Sequence, residues 1–192
     1  IIATYSNQAT ITLGDGAVLQ NYGGMSAVRV SGGTLVMKSG SKICDSDSHP
    51  RIKGAEDSNG PAGAVWVQSG KVEIQEGSSI ENLNGRAIYE DGAGSNVTVD
   101  GAISGITGNA NMWFGNDGRV WHLRGNAVGI LTGTIENIEQ STNAVYVIYN
   151  SNFTMQEGSS LKNINGVGIQ MFGNNGGTVT VNGEITGCTN SA

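Results

Sequence analysis

Proline, cysteine and charge are all scarce in this chain: two prolines, two cysteines and 14% charged residues among 192. Although 31 residues are glycine, the lack of a Gly-X-Y period and the near absence of proline exclude collagen. No apolar run approaches the ~18 residues that a membrane-spanning helix needs, so no membrane insertion is expected. Two cysteines make neither a disulfide framework nor a zinc-ligand set. The ten Lys and Arg are scattered singly against sixteen Asp and Glu, for a net charge of −6. Nucleic acid is therefore not an expected partner, because neutralising phosphates takes a basic face. The 38% hydrophobic residues are spread evenly and suffice for the core of one domain spanning 1–192. Ile1 opens the chain without an initiator Met or a cleavage-site pattern, so the sequence reads as a fragment of a larger protein.

What the chain does have is internal repetition. Ala27-Val-Arg-Val…Leu35-Val-Met-Lys-Ser-Gly-Ser-Lys-Ile43 is echoed from Ala64 to Ile80 and again from Ala144 to Leu161, with weaker copies between. One weak copy runs from Met112-Trp-Phe to Ile135. The apolar residue after each anchor glycine marks the repeats at Val18, Ile43, Ile80, Ile103, Ile135, Leu161 and Ile185, a base period of about 24 residues. Each unit holds three short segments of alternating apolar and polar residues, divided by Gly, Asn, Ser and Asp, and none shows a sustained helical period. The fold class this predicts is all-β: a single-stranded parallel β-helix, about seven coils of three short strands, each coil satisfying its backbone on the next. Two positions past the marker stand Gln20, Asp45, Asn82, Gly105, Asn137, Asn163 and Gly187. The Asn, Asp and Gly among them tolerate a left-handed backbone, which predicts a recurrent sharp corner. On this frame Cys188 points inward as a small apolar group. Cys44 points outward in a column with Glu81, Ser104, Glu136, Lys162 and Thr186, too far from Cys188 for a disulfide.

Two units are long, and the excess defines insertions at 45–63 and 115–126, which contain both histidines, His49 and His122, and both prolines. Insertions on a rigid solenoid are common places for function. Asp45, Asp47 and His49 lie close enough in sequence to suggest a metal, but their spacing matches no calcium-loop or zinc pattern, and neither metal nor cofactor is expected.

The first segment of each unit reads Ala-Val-x-Val, with x being Tyr5, Arg29, Trp66, Tyr89, Trp113, Tyr146 and Gln170. Arg29 and Gln170 are too costly for a narrow interior, so the Val positions face in and x faces out. Trp66, Tyr89, Trp113 and Tyr146 then form an uninterrupted exterior ladder, extended by Tyr5 and Arg29 and bordered by the loops that hold His49 and His122. A strip of flat apolar rings with polar rims suits a glycan. If loops or a neighbouring domain cover the strip, the same residues describe a passive stalk or spacer. Polysaccharide lyase or glycoside hydrolase chemistry needs converging carboxylates, and Glu90, Asp91 and Asp117 are the candidates near the ladder. Glu90 and Asp91 are adjacent and face opposite ways on a continuous strand, which weakens that pair.

The template Ala-Val-Tyr-Val…Phe-Thr-Met-Gln-Glu-Gly-Ser-Ser-Leu-Lys-Asn-Ile at 144–164, echoed at 64–83, resembles the right-handed parallel β-helix repeats of bacterial cell-surface, adhesin-like proteins in the pectin-lyase-like fold group. The resemblance spans nearly the whole chain and is carried by scaffold residues. It implies secretion or cell-surface display in a bacterium, flanking domains, and binding of a polysaccharide or host glycoprotein without catalysis. The catalytic patterns of pectate lyases and polygalacturonases are not matched. Neither end shows an amphipathic cap, so flanking domains or self-association are expected to cover the first and last coils.

Overall fold

The computed structural model describes residues 2–20, 26–44, 63–83, 85–107, 119–139, 143–173 and 176–189. Among them there is no α-helix, and every strand pairing is parallel. In chain order the strands are β1 (Ile2–Thr4), β2 (Thr10–Leu13), β3 (Val18–Leu19), β4 (Val28–Met37), β5 (Lys42–Cys44), β6 (Val65–Ile74), β7 (Ser79–Glu81), β8 (Ile88–Asp91), β9 (Ser95–Val99) and β10 (Ala102–Ser104). They continue as β11 (Arg119–Arg124), β12 (Val128–Leu131), β13 (Thr134–Ile138), β14 (Asn143–Ile148), β15 (Asn152–Met155), β16 (Ser160–Ile164), β17 (Val167–Phe172), β18 (Val179–Val181) and β19 (Glu184–Thr186).

Pairing follows the repeat. Each strand bonds to its equivalent one repeat before and one after, giving a 7-stranded sheet in the order β19-β16-β13-β10-β7-β5-β3 and a 12-stranded sheet in which β4 and β6 join two stacks. The register shifts between Val30 and Thr34 of β4 mark where the long strand passes from one stack to the next. The result is a solenoid-like arrangement of long parallel sheets around one core. Parallel pairing buries both edges of every internal strand, which is why short segments of three to five residues are stable here.

In-register stacking places like on like. Ile43, Ile80, Ile103, Ile135, Leu161 and Ile185 form one column, buried except at the last rung. The first rung differs from the sequence reading. Leu19, not Val18, pairs with Ile43, and Val18 is 48% exposed. Cys44 stands in the column with Glu81, Ser104, Glu136, Lys162 and Thr186, on the face opposite the core. Cys188 packs against the core, and burial pushes its thiol up from the usual range. No disulfide joins the two.

One core position departs from the template and is compensated. Trp121 takes a place held by Val65, Ile88 and Val145 in neighbouring repeats. Gly129 takes the place held by Val97 and Phe153. A Cβ on Gly129 would lie 2.8 Å from Trp121 Cζ2 and 2.6 Å from Leu123 Cδ2, so the missing side chain is the room the indole occupies. The indole meets Phe153 edge-on, with ring centroids 5.3 Å apart.

The corner after the marker is left-handed at every described rung of the predicted series past the second: Asn82, Gly105, Asn137, Asn163 and Gly187 have φ between 54° and 68°. Asn163 Nδ2 donates to Asn137 Oδ1 at 3.1 Å, so the side chains ladder as the backbone does. Gly105 sits directly over Asn82, whose Oδ1 would be 2.5 Å from an added Cβ. Gly105→Ala combines a strained backbone with a clash, and we expect it to lower unfolding free energy by about 1–3 kcal/mol in urea titration. An unchanged midpoint would show that the corner relaxes freely.

Candidate functional site

The alternation of the first strands puts Val28, Val65, Ile88, Trp121 and Val145 inward and the residue after each outward. The outward column runs Ala3, Arg29, Trp66, Tyr89, His122, Tyr146 and Gln170. Two rungs therefore differ from the sequence reading. Ala3, not Tyr5, pairs with Arg29, because Ile2 and Thr4 are the flanking positions that turn in; Tyr5 lies two residues on and is 68% exposed. His122, not Trp113, stands between Tyr89 and Tyr146. Arg119–Arg124, expected within the 115–126 insertion, is strand β11, in register with both neighbours. Trp113, Asp117 and His49 lie outside the described residues, as does the 45–63 insertion except for Gly63.

This column forms a second layer outside the core. Trp66, Tyr89, His122 and Tyr146 are only 8%, 3%, 6% and 6% exposed, yet none belongs to the core cluster. His122 meets Tyr89 and Tyr146 edge-on at centroid distances of 5.1 and 5.2 Å. Guanidinium groups cap the rings: Arg29 lies 4.2 Å from the Trp66 ring centroid, Arg86 4.9 Å from Tyr89, and Arg119 3.7 Å from Tyr146. Each such contact contributes about 0.5–2 kcal/mol. Arg124 donates from Nη1 to Tyr89 Oη at 3.3 Å and pairs with Asp91 through Nε at 3.0 Å. Four of the five arginines of an acidic chain thus gather on one face, a feature that single scattered positions in the sequence do not reveal.

His122 sits among these cations, buried, with neither ring nitrogen hydrogen-bonded. Burial, together with Arg86, Arg119 and Arg124, holds its imidazole well below the usual histidine range. It is a neutral ring in an aromatic stack.

The candidate carboxylates separate. Glu90 pairs in register with Val67 and Leu123 and is fully buried on the inward face. Its Oε1 accepts the Trp121 Nε1–H at 2.7 Å, supplying the partner that a core indole requires. Burial pushes the carboxyl up to about 8, so it is protonated at neutral pH. Asp91, the next residue, faces out and is held by Arg124. The two therefore cannot act on one bond.

A further group of residues escaped the sequence reading. At the ends of the first strands of the last repeats, Tyr149, just past β14, is 52% exposed and Phe172, the last residue of β17, 60%, and the Arg124 guanidinium lies 5.6 Å from the Tyr149 ring centroid. The available signal was an aromatic in a turn whose equivalent one repeat earlier is Gly125-Asn126.

No protein-family model, no curated protein and no solved structure matches the sequence.

Glu90 and His122 tie stability to pH in opposite senses. Folded Glu90 keeps its proton to about pH 8, against 4.5 when exposed, so between those values the folded state binds the extra proton and stability falls as pH rises. Exposed histidine takes up a proton below 6.5 and folded His122 does not, so stability falls as pH drops below 6.5. The two terms oppose one another below pH 6.5, and only the Glu90 term acts between 6.5 and about 8. We expect thermal midpoints to decline from pH 6.5 toward pH 8 and to change less steeply below pH 6.5, where the terms oppose. Glu90→Gln removes the alkaline decline and exposes the His122 loss below pH 6.5, whereas His122→Phe leaves stability falling with pH from 4.5 upward. A wild-type midpoint that rises steadily to pH 8 would contradict the buried acid.

Proposed function

We propose that this chain is a non-catalytic binding module of a bacterial cell-surface or secreted protein. In this reading its solenoid is a right-handed parallel β-helix of seven coils, adhesin-like, and its ligand is a polysaccharide or a host glycoprotein. The right hand follows from the general preference of parallel crossovers. The observation that carries the reading is the concentration of aromatic rings and guanidinium groups on one outer face, with exposed rings, Tyr5 and Tyr149, at its margins. Rings present the apolar surface on which sugars stack, and Arg and Asp side chains meet hydroxyls. Arg29 illustrates how firmly such groups are held: its guanidinium contacts both Tyr5 and Trp66 while bonding to Gln68.

The separation of Glu90 from Asp91 supports binding without chemistry, since glycoside hydrolysis needs two carboxyl groups across one bond. A second reading, a passive stalk, is favoured by the burial of Trp66, Tyr89, His122 and Tyr146, which act here as structural rungs.

The two separate on one experiment. A binding module is retained on immobilised polysaccharides or mucin and releases no shortened or unsaturated sugar over hours. A stalk is retained on none, and no soluble glycan shifts its melting temperature. Released product would overturn the non-catalytic reading.

A further inference from the structure

Resting on the binding reading above, we propose that the glycan contact is the exposed corner formed by Tyr149 and Phe172, with the Arg124–Asp91 pair beside it, and not the aromatic ladder itself. The ladder rungs are sealed, whereas Tyr149, which follows a strand paired on both edges, is more than half exposed; Phe172 is exposed too, on β17, the last strand of its stack. Phe172 pairs in register with Ile148, the residue before Tyr149, so the two aromatic residues lie one position apart on adjacent chain segments. Arg124, one repeat earlier, lies over the Tyr149 ring and holds Asp91, and both members of the pair reach solvent.

Tyr149 is also in a conformation that a large residue rarely adopts. Tyr149 and Asn150 have φ of 54° and 62°, two successive left-handed residues. The equivalent turn one repeat earlier is Gly125-Asn126, with φ of 72° and 67°, and the Asn126 N–H donates to the Tyr149 carbonyl. The fold accommodates this turn with glycine, so tyrosine at the same place is strained, and its ring stays half exposed with only the solvent-reaching Arg124 recorded over it. A side chain that weakens the scaffold and projects into water is explained by what it contacts outside.

The chemistry of the corner fits a carbohydrate. The two rings offer stacking for the C–H surface of pyranose rings, while a guanidinium, a carboxylate and the exposed Asn126 supply hydrogen-bonding groups beside them. The exposed groups named here are two rings and one ion pair, a small set beside the ~800 Å² per partner that a standard protein interface buries. A narrow chain molecule can lie along it.

The test compares affinity electrophoresis of the wild type, Tyr149→Gly, Phe172→Ser and Lys162→Gln in gels containing β-glucan, mannan or gastric mucin, with melting temperatures measured in parallel. We expect at least one polymer to retard the wild type. Tyr149→Gly should lose tenfold or more in affinity while melting at the same or a higher temperature. Phe172→Ser should weaken binding similarly, and Lys162→Gln, on the other sheet, should bind as the wild type. Retardation of Tyr149→Gly equal to wild type overturns the corner and leaves the binding reading standing. A wild type that no polymer retards overturns both. Loss of binding in Tyr149→Gly accompanied by a lower melting temperature overturns the claim that the ring is displayed at the expense of stability.

Discussion

In-register parallel stacking is the constraint on which everything else in this structure depends. Each internal strand donates and accepts on both edges, so no strand can slide by one residue without turning its apolar side chains outward. The backbone is thereby satisfied by repetition, and short segments separated by turns become one continuous core. A consequence is that residues act as columns. What matters at Ile103 is that Ile80 lies below it and Ile135 above. The exchange of Trp121 and Gly129 shows the limit of that rule: two neighbouring columns trade volume within one repeat, and the sum is kept.

The same register organises the outer face. Because x positions stack as rigidly as core positions, four rings and their guanidinium caps come to lie within van der Waals or cation–π distance along one line. Such a layer removes apolar ring surface from water and shields the strands beneath it. His122 belongs there as a planar ring, and its neutrality follows from its burial and, secondarily, from the cations around it. Glu90 is the inward counterpart: a carboxyl that remains protonated because its strand position faces the core, retained where Trp121 needs an acceptor. The alternation of side chains along a strand alone separates these two titratable groups, one register position apart, onto opposite faces of the first-strand stack.

Much of the architecture was legible in the chain because the period is short and the columns are chemically uniform. The inward Ile series, the outward column containing Cys44, and the left-handed corners at Asn82, Gly105 and Asn163 all follow from counting. Errors arose where two readings of the count competed. At the first repeat, Val18-Leu19 offers two adjacent apolar residues, and only pairing shows that Leu19 continues the column. At the fifth, Met112-Trp-Phe imitates the template, but Val120-Trp121-His122-Leu123 occupies it. Spacing held the answer: Ala27, Ala64 and Ala87 each stand about sixteen residues before their marker, and Val120, unlike Met112, keeps nearly that distance from Ile135. The exposed corner was invisible for a different reason. Exposure and a left-handed φ at Tyr149 are properties of the folded turn, and composition gives no sign of either.

A repeat architecture also supplies its own internal control for function. In most folds a strained residue has no reference against which its strain can be judged. Here the turn at Tyr149-Asn150 has the same geometry one repeat earlier with glycine in place of tyrosine, so the unstrained solution exists in the same molecule. Packing does not account for the difference, because the tyrosine is half exposed, and neither does register, because Gly125 serves the register equally well. Buried departures from the template, such as Trp121 and Glu90, are balanced by a partner within the core. The exposed departure at Tyr149 is balanced only at the surface, by the Arg124 guanidinium over its ring, and that difference from the buried departures is what the proposed contact accounts for.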